Sequence, residues 1–170
     1  LFEAMEVHRV EALAWSLMTN HWHGLFRAPE EGLSPFLRRV NHRHSLRSNK
    51  RWGRTAHTWQ NRPGAVLQES EEQIMWTLAY IVNNPVHAGL CRSAEEARWT
   101  SYPATVGLVR PPDRLDIAAV LQCFGDDPAD ARDRYTRFVV DAGPARREPD
   151  NAPRRRDPVE EPVPGTGVQP

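Results

Sequence analysis

The sequence predicts an α+β protein in which a short antiparallel sheet is packed by helices. Three features lead to that expectation. A bounded apolar run, Val10 to Met18, suits a buried strand, and after the turn residues Thr19 and Asn20 a second strand reads from His21 to Arg27. A capped amphipathic stretch then opens at Ser70.

The remaining elements follow in order. Phe2 to Arg9 reads as the end of a helix, and Leu33-Ser34-Pro35 opens another that carries Phe36, Leu37, Val40 and later Leu46. A loop from Gly53 to Gly64 leads to Ser70-Glu71-Glu72-Gln73, where the Ser hydroxyl can accept the Gln73 amide proton while Gln73 reaches back. That helix takes in Ile74, Met75, Trp76, Leu78, Tyr80 and Ile81. It is expected to end near Asn83-Asn84-Pro85, because a residue before proline avoids the α region. Residues 1–103 thus form the main domain. Residues 104–140 form a helical extension, with Ile117, Ala118, Val120 and Leu121 on one short helix and Tyr135, Phe138 and Val139 on another. Residues 141–170 hold seven prolines and almost no large apolar side chain, the composition of a disordered tail.

Composition narrows the function classes. With 39% hydrophobic and 26% charged residues the 170-residue chain suits a soluble globular protein. No apolar run approaches the roughly 20 residues that span a bilayer. No signal peptide is visible, so a cytoplasmic location without a membrane partner is expected. Cys91 and Cys123 have no metal-type spacing. The formal net charge of zero hides an asymmetry: from Arg27 to Arg62 nine basic residues face two acidic ones, a local excess of seven. Trp52 and Trp59 interleave with that charge, a pattern that suits a nucleic-acid surface as well as a plain solvated helix face.

Candidate chemistry begins with His21-Trp22-His23. Along a strand, residues i and i+2 share a face, so the two imidazoles project together while Trp22 packs on the other side. Such a pair is half of a divalent-metal site, or simply two half-buried histidines. His42-Arg43-His44 repeats the spacing within a helical stretch, where i and i+2 lie about 200° apart and cannot share an ion. The chain has three tyrosines, Tyr80, Tyr102 and Tyr135. Tyr80 shares a helix face with Asn84, four residues on. A phenol and a carboxamide projecting together could supply a nucleophile and a ligand, although a core tyrosine fits the same spacing.

Four segments in order carry a family resemblance. Leu13-Ala14-Trp15-Ser16-Leu17-Met18-Thr19-Asn20-His21-Trp22-His23 resembles the strand and HUH motif of REP-associated single-tyrosine transposases. Trp59-Gln60-Asn61-Arg62 is similar to their WQxR loop, and Tyr80-Ile81-Val82-Asn83-Asn84-Pro85-Val86-His87-Ala88-Gly89-Leu90 to their YIxxNPVxAGL segment. Trp99-Thr100-Ser101-Tyr102 resembles the WSSY that closes the domain. The resemblance covers residues 10–103, and the stretch from Phe124-Gly125 to Phe138 resembles the helical extension of many members.

The resemblance implies a ferredoxin-like HUH domain, an antiparallel sheet with helices packed on it. It implies Tyr80 as nucleophile, and His21, His23 and Asn84 as ligands of Mg²⁺ or Mn²⁺. The reaction it implies is nicking and strand transfer of single-stranded or hairpin DNA through a 5′-phosphotyrosine, by a monomer or homodimer. The residues expected along the DNA backbone are Arg38, Arg39, Arg43, Arg47, Lys50, Arg51, Arg54, Gln60 and Arg62. The chain departs from the family in two places. It opens on Leu1 without the family's first strand, so it reads as N-terminally truncated with an unpaired sheet edge. Pro63 also stands where an aromatic residue often follows the loop arginine. The competing expectation is a non-catalytic DNA-binding remnant using only the basic stretch. A structural zinc module of His21, His23 and Cys91 lacks a closed set of four ligands.

Overall fold

A computed structural model describes residues 1–55, 58–59 and 63–143. The order is α1 (Phe2–Val7), β1 (Glu11–Leu17), β2 (Trp22–Arg27), α2 (Leu33–Trp52), α3 (Glu71–His87), α4 (Tyr102–Thr105), α5 (Ile117–Gln122) and α6 (Pro128–Ala142). The architecture is α+β: β1 and β2 pair antiparallel, and helices pack on them. No described helix is long and apolar enough to cross a membrane.

The turn between the strands is closed by Met18 N–H donating to the His21 carbonyl at 2.9 Å. His21 therefore ends the turn and β2 begins one residue later than expected, at Trp22. A β-bulge at Leu13 sets the faces of the sheet. Ala12 pairs with Phe26 and Ala14 with Leu25, consecutive residues of β2 that point oppositely. Ala12, Trp15, Trp22 and Phe26 thus join Met5, Val10 and Phe36 of the α1–α2 layer. Ala14 and Leu25 pack on the other face, with Leu78 and Val82 of α3. Helices cover both faces of a two-stranded sheet that would be marginal alone.

The outer edge of β1 is not open. Leu17 N–H donates to the Trp99 carbonyl and Ser101 N–H to the Trp15 carbonyl, at 2.8 and 2.9 Å. Farther along, Ala12 N–H donates to Arg114 and Asp116 N–H to Ala12, both at 2.9 Å. Two short non-helical segments thus satisfy backbone groups that an edge strand would expose. The outer edge of β2 meets no strand among the described residues.

Helix α3 begins as its sequence predicts, with Ser70 Oγ accepting from Gln73 N–H at 3.2 Å. The Gln73 side chain reaches one residue farther back, accepting from Glu69 N–H at 2.8 Å. The expected end near Pro85 is corrected: α3 continues to His87 with Pro85 inside it. A proline one turn from the C-terminus removes one ladder donor, that for Ile81. The last turn still closes through Ala88 N–H to Asn84 and Leu90 N–H to Pro85, both 2.9 Å. Pro85 is itself buried, and Gly89, at φ 69°, adopts the left-handed turn that follows.

The extension shares its core with the first hundred residues. Val120, Leu121 and Phe124 pack with Tyr135 and Val139 of α6 against Leu78, Ile81 and Val82 of α3. Asn83 Nδ2 donates to the Val139 carbonyl at 2.9 Å, a buried bond that ties α3 to α6. A helix that the sequence did not suggest, the single turn α4, straddles the boundary at residue 103, with Pro103 in its first turn. Helix α6 also passes the expected boundary at residue 140 and ends at Ala142. The tail sequence from 144 onward lies outside the described residues.

Candidate active site

Turn and strand place His21 and His23 on the face of the sheet that α3 covers. Their ring centroids are 4.9 Å apart with planes at 87°. The Tyr80 ring meets His23 edge to face at 5.6 Å between centroids. His21, His23 and Tyr80 therefore form one cluster drawn from a turn, a strand and a helix. Trp22 points the opposite way, against Phe26 at 5.9 Å.

Gly24 makes the arrangement sterically possible. A Cβ on Gly24 would lie 2.4 Å from Phe26 Cε2 and 3.0 Å from Trp22 Cζ3. Phe26 cannot simply swing aside, because its far side packs on Phe36 at 5.2 Å. Gly24→Ala is expected to destabilise the fold by about 1–3 kcal/mol, the cost of overpacking a filled layer. A urea midpoint equal to that of the parent would show that the rings move freely.

Second contacts orient the cluster. His21 Nδ1 lies 2.7 Å from Asn20 Oδ1, an oxygen that can only accept. With Nδ1 donating to that oxygen the lone pair lies on Nε2, one of the two nitrogens through which an imidazole can ligate. Asn20 reads in the sequence only as a turn residue; its place directly before the first histidine was the available signal. Asn84 Nδ2 donates to the Tyr80 carbonyl at 2.8 Å. That bond orients the amide beside the proline.

Two imidazoles cis on an octahedral ion, at bond lengths near 2.1 Å, place their centroids about 4.6 Å apart. The observed 4.9 Å fits that spacing. No group of three His, Cys, Asp or Glu side chains gathers among the described residues. Burial and the nearby Glu96 push the Cys91 thiol up, away from the thiolate that a zinc ligand must become.

The other tyrosines are unlike Tyr80. Tyr102 and Tyr135 are 0% and 1% exposed, and burial raises the pKa of both phenols. Tyr80 is half-buried. It is the one tyrosine that stands at a surface and beside imidazoles.

Helix α2 carries Arg38, Arg39, Arg43, Arg47, Lys50 and Arg51 and no acidic residue. The structure divides this set. Glu3 of α1 holds Arg43 at 2.5 Å and Arg39 at 3.5 Å, and the Arg43 hydrogen bond leads the causes that keep the Glu3 carboxyl below its usual range. Arg51 stacks over Trp52 at 5.5 Å. Arg38, Arg47, Lys50 and Arg54 are exposed and form no ion pair among the described residues. Arg27 is occupied on its own strand side by Glu11, at 2.7 Å, and by Asp116. His42 and His44 diverge, as the helical spacing requires, and His44 packs on Trp59 at 5.2 Å. Gln60 and Arg62 lie outside the described residues.

No family model, no curated protein and no solved structure matches this chain.

Proposed function

We propose that this chain is a ferredoxin-like HUH enzyme that nicks and rejoins single-stranded hairpin DNA through Tyr80, as its motifs' resemblance to REP-associated single-tyrosine transposases implies. The observation that carries the reading is the cluster of His21, His23 and Tyr80, with the two other tyrosines sealed in the core. The phenol oxygen bonds to phosphorus and the bond to O3′ breaks. The departing oxygen takes up a proton, leaving a 5′-phosphotyrosine and a 3′-hydroxyl. Mg²⁺ or Mn²⁺, held by His21, His23 and Asn84 when bound, supplies charge neutralisation at the phosphate. Asn20 holds the His21 tautomer, and α3 fixes the phenol beside His23.

The direct test is a labelled DNA hairpin with single-stranded flanks, incubated with the chain and Mn²⁺. Cleavage should leave a 3′-end that a polymerase extends and a 5′-end that migrates with protein. DNA binding without cleavage, across flanks and metals, would favour a non-catalytic remnant that uses α2 alone.

Backbone contact through α2 makes a separate prediction. The logarithm of single-strand affinity should fall linearly with the logarithm of salt, by about 0.7 per phosphate neutralised. Substituting the unpaired Arg47, Lys50 and Arg54 with Gln should reduce that slope by about two. Substituting Arg43, held by Glu3, should change it less. An unchanged slope in the triple variant would place DNA on another surface.

A further inference from the structure

An open cavity of about 400 Å³ lies between the end of α1 and α2, lined by His8, Pro35, Arg38, Arg39 and His42. Pro35, Arg38, Arg39 and His42 fall at i, i+3, i+4 and i+7, so they form one face of α2. His8 faces them from the C-cap of α1. Beyond it Arg9 takes the left-handed conformation at φ 53°, with its N–H on Glu6 and that of Val10 on Met5. This is the turn that normally uses glycine, and here a bulky residue adopts it. The chain is thereby turned sharply just after His8.

The four polar side chains of the lining are two guanidiniums and two imidazoles, and no carboxylate is among them. Glu3 stands nearby and takes Arg39 Nη2 at 3.5 Å. Arg39 Nε is shut off from solvent and meets no acceptor among the described residues. Beyond the N–H that Glu3 takes, the Arg39 head keeps further η N–H groups at the cavity, and an anion there can accept from them. Guanidinium forks match phosphate geometry. Arg43, Arg47, Lys50 and Arg51 continue along α2, so the field favours a polyanion over an isolated ion.

We infer that this cavity seats one backbone phosphate of a single-stranded nucleic acid, apart from the tyrosine cluster, and registers the strand along α2. The inference rests on the nucleic-acid reading above and sharpens it from a diffuse basic face to a discrete seat with His8 and His42 in its walls.

The test uses the whole chain, with inorganic phosphate and a twelve-nucleotide oligothymidylate as probes. Side-chain NMR should show both probes shifting His8, His42 and Arg39 Nε–H, and leaving His44 in place. Arg38→Gln with His42→Gln should remove those shifts and weaken the oligonucleotide about tenfold or more. The composition-matched Arg137→Gln with His44→Gln, whose arginine lies on α6 and pairs with Asp133, should weaken it less than threefold, with thermal unfolding confirming that both variants fold. Equal losses from the two pairs, absence of the shifts, or phosphate shifts that the oligonucleotide does not reproduce would each overturn the seat. Tyr80→Phe should retain every shift. A failed cleavage assay therefore sinks the nuclease reading and leaves the seat standing, and missing shifts beside normal cleavage do the reverse.

Discussion

Tyr80→Phe should abolish the covalent protein–DNA adduct, lowering its yield by at least about 1,000-fold, the scale on which loss of a nucleophile acts. The substitution removes one oxygen and keeps the ring that packs on His23, so single-strand affinity should stay close to that of the parent. His21→Ala combined with His23→Ala should also abolish the adduct, through loss of the ligand pair, and a chelator should do the same to the parent chain. The readout is labelled hairpin DNA retained with protein in denaturing electrophoresis. Tyr102 and Tyr135 cannot stand in for Tyr80 while the chain is folded, because both are sealed in the core. Adduct undiminished in Tyr80→Phe would falsify the assignment of the nucleophile. A folded chain that yields none with any hairpin or divalent metal would leave the binding remnant.

The largest stability effect is expected at Tyr135, far from that chemistry. Its ring packs on Phe124 at 5.2 Å and Tyr102 at 5.8 Å, beneath α3. Tyr135→Ala should cost about 3–5 kcal/mol. Native domains hold only about 5–15 kcal/mol in all, so the urea midpoint should collapse. Tyr135→Phe loses only the hydroxyl and its hydrogen bond to Thr105, about 1 kcal/mol. A small effect of Tyr135→Ala would mean that residues 117–142 form an appendage and not part of the core.

The same pair of phenols makes the fold alkali-sensitive. Burial raises both pKa values above that of a free phenol, near 10, so each group is neutral in the folded chain and ionises more readily once unfolded. Their contribution is fully present below about pH 10 and is lost as pH rises toward the folded values. Stability measured from pH 8 to 11 should hold at first and then fall, less steeply in Tyr135→Phe. A parallel decline in the two proteins would assign the loss to other groups.

Much of the local structure was legible because its causes are local. The apolar run ending at Thr19-Asn20 marks β1, the Ser70–Gln73 cap starts α3, and a period of two puts His21, at the end of the turn, and His23, on β2, on one side with Trp22 on the other. Pro85 misled because its cost depends on position: inside the last turn it removes one donor, and its own burial and the closing turn at Gly89 keep the helix going. Asn20 was passed over because a hydrogen bond to a neighbouring ring cannot be seen in a composition of turn residues.

Sequence by itself determined the strand pair, the starts of α2 and α3, the basic character of α2 and the opposed directions of His42 and His44. These follow from periods of two and 3.6 and from caps a few residues long. Only tertiary structure decided which layer each face of the sheet meets, because the bulge at Leu13 reverses the alternation. It also decided that Glu3 claims Arg39 and Arg43, that residues 99–101 and 114–116 cover β1, and that α5 and α6 complete the core of α3. Each joins residues tens of positions apart, through contacts that no local period encodes. The approach of Tyr80 to His23 belongs with them, since a helix period puts a phenol on a face but cannot say what that face will meet.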